Sequence, residues 1–127
     1  MNSKIVFLQS QLREYNPQLI NHIEYYENEI ENETEEATIE MLKKMLRTKQ
    51  CILILNNGIL NNILNARFYD SCLTNIQTAN LELIELVEEH TKKYEMEENP
   101  YLKICEAVKE EVDVMTTFCK NMKTYCN

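Results

Sequence analysis

The sequence predicts an all-α chain, an elongated helical bundle or coiled coil built around one long central helix, with a compact four-helix bundle as the alternative. Three observations carry this. Met41, Met45, Thr48, Ile52, Leu55, Ile59, Asn62, Ala66, Tyr69, Leu73, Ile76, Asn80, Leu83, Val87, His90 and Tyr94 keep an unbroken 4-3 spacing, and twelve of the sixteen are apolar. That spacing holds one side of a helix against a partner helix. One Gly, two Pro and no Trp leave little material for the turns a sheet needs. The 4-3 spacing then resumes beyond Pro100.

The 127 residues bound the chain to one domain with a moderate core. Its first helical stretch covers about residues 3–15, with Ile5, Leu8, Leu12 and Tyr15 on one stripe. Asn16-Pro17 has the cap-plus-proline chemistry of a fresh helix, so a kink or split is expected there before a second stretch over 17–31. The run from Glu31 to Glu36 contains no apolar residue. It predicts the first reversal near Asn32–Thr34, with Asn32 or Thr34 as cap.

The central stretch spans about 36–98. Asn57-Gly58 after an apolar run is a good helix terminus, so a break at 57–58 is the alternative. The heptad phase nevertheless passes through Gly58 without a stutter, which favours continuity. Asn62 and Asn80 occupy seam positions, where a buried Asn fixes register, and both are candidate register-setting residues.

Asn99-Pro100 repeats the cap signature and opens the last stretch, about 100–126. Here Tyr101, Cys105, Val108, Val112, Met115, Cys119, Met122 and Cys126 follow 4-3 spacing, and Ile104, Phe118 and Tyr125 widen the stripe. A stripe that wide exceeds what one neighbour covers. Tyr101, Ile104, Cys105, Val108, Val112, Met115, Phe118, Cys119 and Met122 are therefore the candidate partner-binding residues. Tyr25 and Phe68 lie off the stripes and are further candidates as aromatic anchors.

The formal charge of −8 disfavours nucleic acid as a ligand. Residues 24–40 carry eight Glu and no base, whereas 41–67 carry Lys43, Lys44, Arg47, Lys49 and Arg67 and no acid. Folding back at the first reversal would set these blocks side by side. No signal-type or membrane-spanning run is present, so the expected location is cytoplasmic or nuclear, not secreted. Cys51, Cys72, Cys105, Cys119 and Cys126 lack a disulfide-framework spacing and are expected to be free thiols.

No Glu-x-x-His, C-x-x-C, nucleophile-elbow or phosphate-loop motif occurs, and His90 reads as a helix-face histidine. No metal, cofactor or catalytic activity is expected. The expected function is a non-enzymatic coiled-coil subunit that assembles with other helical proteins, as hetero-oligomer or homodimer. In style the chain looks like small helical subunits of cytoskeletal, spindle, kinetochore or vesicle-tethering complexes, with no signature motif for any of them. The alternative is a self-contained helical-bundle modulator that binds a single target protein or peptide helix. The two differ in whether the seams are satisfied inside the chain.

Overall fold

In the computed structural model, which describes residues 3–95, 97 and 99–126, the chain forms four helices: α1 (Ser3–Asn32), α2 (Glu36–Leu60), α3 (Ala66–Lys93) and α4 (Pro100–Tyr125). Short reversals make consecutive helices antiparallel neighbours, and α1–α2, α2–α3 and α3–α4 pack extensively. The alternative fold class, a compact four-helix bundle, is therefore the correct one. Discrete helices that fold back on one another replace both the long central helix and the coiled-coil description.

The central stretch breaks at 61–65 instead of running through. At the end of α2 the Asn62 amide donates to the Ile59 carbonyl at 3.2 Å and the Ile63 amide to the Gly58 carbonyl at 3.0 Å. Asn62 has φ 57°, the left-handed conformation that closes such a terminus. Asn65 then caps α3 by accepting from the Arg67 amide at 2.9 Å. The heptad phase survives because it reports which residues face a core, and both helices face the same one. Phase does not distinguish a straight helix from one folded back. Residues 96 and 98, at the end of the predicted central stretch, lie outside the described residues.

At the other expected boundary the error is opposite, since α1 runs unbroken through Pro17. A proline costs a helix one amide donor. Here the orphaned acceptor is the carbonyl of exposed Arg13, on the solvent side of the helix, so its loss of a donor costs little. Asn16 does not cap a new helix; it is buried, and its Oδ1 accepts from Asn56 Nδ2 at 2.9 Å, which ties this turn to α2.

The reversal after α1 falls at residues 33–35, as the apolar-free run implies. The N-cap of α2 is Glu35, without a side-chain cap bond, and not Asn32 or Thr34. Asn32 Nδ2 instead donates to the Asn28 carbonyl in the last turn of α1 at 3.0 Å, and the Glu33 carboxylate accepts from the reversal amides of Thr34 and Glu35 at 3.0 and 3.1 Å. Asn99 caps α4 as expected, accepting from the Tyr101 amide at 2.9 Å, with Pro100 in the first turn. Asn99 is also buried and donates to Thr91 Oγ1 at 3.0 Å, which fastens α4 to the end of α3.

The core is one continuous cluster. Leu12 and Leu19 of α1 meet Met41, Met45, Ile52, Leu55 and Ile59 of α2, with Tyr69, Ile76, Leu83 and Val87 of α3 and Val108, Cys119 and Met122 of α4. Each fully buried aliphatic side chain contributes roughly 1.5–3 kcal/mol of transfer free energy. The five cysteines are unbridged, and Cys72, Cys105 and Cys119 pack as small apolar groups. No described helix is long and apolar enough to cross a membrane.

Candidate functional site: the open side between α1 and α4

Three sides of the bundle are sealed by helix contact and the fourth is not. The first and last helices touch far less than the sequential pairs do. Between them runs a groove of about 640 Å³, walled by Ser3, Lys4, Phe7, Leu8 and Gln11 on α1 and by Val114, Thr117, Phe118, Asn121 and Tyr125 on α4. Its inner end continues into a hollow of about 280 Å³ lined by Gln11, Leu12, Tyr15, Glu111, Val114, Met115 and Phe118.

Helical spacing explains the walls. Phe7, Gln11 and Tyr15 recur every four residues and form a ridge about 12 Å long, while Glu111, Phe118 and Tyr125 recur every seven on α4. These residues would meet one another if the bundle were closed. Instead Phe7 is 62% and Val114 52% exposed. Large apolar side chains left at a concave surface mark a place where another apolar surface docks.

Beneath the inner end lies a polar crossbar. Lys49 of α2 reaches diagonally to Glu111 of α4, Nζ to Oε1, at 2.5 Å, and the two side chains are only 7% and 11% exposed. Lys49 Nζ is also 3.4 Å from His22 Nδ1 on α1. Since an ammonium can only donate, that ring nitrogen accepts and the imidazole is neutral. Burial and the adjacent Lys49 charge both hold His22 below its usual value. Burial draws Lys49 down to about 8 and pushes Glu111 up to about 7. The triad thus joins α1, α2 and α4 where α1 and α4 stand apart.

The sequence-predicted partner stripe divides in two. Cys105, Val108, Val112, Met115, Cys119 and Met122 are buried in the chain's own core. Tyr101, Ile104 and Phe118 are half-buried; of the nine, Phe118 lines the groove and Met115 joins it in lining the inner hollow. The off-stripe aromatics also part: Tyr25 is exposed and stacks edge-on to Tyr26, whereas Phe68 packs over Gly58.

Of the register candidates, Asn80 is buried on α3, and its Oδ1 has no hydrogen-bond partner among the described residues. Asn62 is not in a seam. It is the exposed left-handed residue closing α2, and its Oδ1 accepts from Gln9 Nε2 at 2.7 Å. Between the acidic and basic blocks, exposed Lys43 pairs loosely with Glu40 at 3.9 Å within α2, while Lys44 bonds Glu82 of α3 at 3.0 Å and Lys49 bonds Glu111 of α4.

Sequence reasoning missed Glu111 and Lys49, although a signal existed for the first. Ile104, Glu111, Phe118 and Tyr125 form one row at seven-residue spacing, and Glu111 is the only charge in it. No cluster of three or more His, Cys, Asp or Glu able to hold a metal occurs among the described residues. Comparison with protein-family models, curated proteins and solved structures returned no match.

Proposed function

We propose that this chain is a non-enzymatic, self-contained helical-bundle modulator that binds a single target protein by taking a helix of that target into the α1–α4 groove. The observation that carries this reading is the asymmetry of the bundle: three helix–helix sides are closed, and the fourth is apolar and open. An amphipathic helix lays three or four apolar residues along such a trough and completes the missing layer of packing. The assembly-subunit reading requires seams that seek outside partners. Those on residues 41–94 and 101–126 are largely satisfied inside the chain.

The test uses proteins recovered with the chain from its native cell. Phe7→Asn together with Val114→Asn makes the groove walls polar at two exposed positions, while Ile54→Asn with Leu81→Asn alters exposed apolar residues elsewhere. Loss of one co-purifying protein with the first pair and its retention with the second supports the groove as the working surface. Equal recovery with both pairs contradicts it.

A further inference from the structure

We infer that the helix accepted by this groove is a basic amphipathic one, with Lys or Arg flanking its apolar face at the end that lies over Tyr15 and Glu111; this rests on the helix-capture reading above. The argument starts from the rim. Glu14 follows Gln11 by three residues and Glu110 precedes Val114 by four, so each stands one turn from a groove-lining residue on its own helix. Since α1 and α4 run antiparallel, these two exposed carboxylates flank the same inner end of the trough, one on each wall. Among the described residues neither takes part in an ion pair.

Inside the groove the one basic lining residue, Lys4, stands at the outer end, away from Tyr15 and Glu111. The walls are apolar or neutral at the inner end apart from Glu111, whose charge Lys49 already meets. An incoming base that displaced Lys49 would leave that ammonium buried without a partner, which is costly. A base that stays on the rim, beside Glu14 or Glu110, meets a carboxylate while remaining in water. The chain's charge of −8 adds long-range attraction for such a helix. Apolar residues at spacing i, i+4 and i+7 would fill the trough, and bases two or three positions to either side of the face would reach the rims.

The test is a displayed library of 16-residue helical peptides, randomised at three face positions and at the flanks. It is selected on the full chain and counter-selected on the Phe7→Asn/Val114→Asn protein. Selected peptides should carry apolar face residues with Lys or Arg at the flanks of one end. Their affinity should fall roughly threefold to tenfold when Glu14→Gln and Glu110→Gln are combined, the range expected for two exposed ion pairs. Neutral or acidic flanks, or an affinity unchanged by the two glutamines, would overturn the basic-helix inference and leave the groove intact. Failure to select any peptide that distinguishes the two proteins would overturn the helix-capture reading itself. Circular dichroism of each variant establishes that the bundle is folded before affinities are compared.

Discussion

Gly58 of α2 lies directly under the ring of Phe68 of α3: a Cβ at position 58 would sit 2.8 Å from Phe68 Cζ and nearer still to Cε1. The glycine is buried and helical, so its role is close approach and not a special backbone angle. It allows the first turn of α3 to fold tightly onto the last turn of α2, immediately beside the reversal that the heptad phase conceals.

Gly58→Ala should therefore destabilise the bundle by about 1–2 kcal/mol, because displacing Phe68 outweighs the gain of up to about 1 kcal/mol in helix propensity. In a Phe68→Ala background the same change should instead stabilise by up to about 1 kcal/mol. A double-mutant cycle followed by urea unfolding reads the sign reversal. Stabilisation by Gly58→Ala in the parent protein would contradict the contact.

A second expectation concerns the crossbar. Lys49→Met alone leaves Glu111 without its cation and should cost about 3–5 kcal/mol at pH 8. That loss should shrink on acidification, since burial already pushes the Glu111 carboxyl up to about 7 and protonation removes the stranded charge. Combining Lys49→Met with Glu111→Leu should restore or exceed parental stability.

The pH dependence of the parent follows from the same two groups. Glu111 holds its proton more tightly when folded than at its ordinary 4.5, so its stabilisation is full below that value and is lost as pH rises toward about 7. Lys49 releases its proton more easily when folded, near 8 against 10.5, so stability returns as pH rises above about 8. Relative to the Lys49→Met/Glu111→Leu protein, the parent should be least stable between pH 7 and 8. Denaturant midpoints for both proteins from pH 5 to 10 measure the difference.

Asn99 joins a helix cap to a buried side-chain bond. Asn99→Ala removes the acceptor for the Tyr101 amide and the donor to Thr91, and should cost about 1–3 kcal/mol. Asn99→Asp retains the cap acceptor but not the donor. It should fall between the two, and thermal unfolding monitored by circular dichroism orders the three.

Helix content, the apolar faces and the boundaries at 33–35 and 99–100 were legible because local chemistry determines them: charge runs exclude core, and Asn-Pro both caps and starts a helix. The turn at 61–65 was not legible. Its signal is a left-handed Asn62, a weaker cue than the glycine four residues earlier, and the glycine serves packing instead. Pro17 misled in the opposite direction, because tertiary anchoring of Asn16 to Asn56 overrides a local breaker. The groove was visible only as an over-wide stripe through Phe118 and Tyr125. Which of its residues would be buried depends on α1 stopping short of α4, a fact of tertiary packing that periodicity cannot encode.

The claim that the α1–α4 groove is the working surface is tested most directly by photo-crosslinking in the native cell, with a photoreactive residue at Thr117 in the groove or at Leu81 on α3. The account predicts that Thr117 gives an adduct with one protein, mapped to a segment with apolar residues at helical spacing, and that Leu81 does not. Adducts to that protein from Leu81 but not from Thr117 would contradict it.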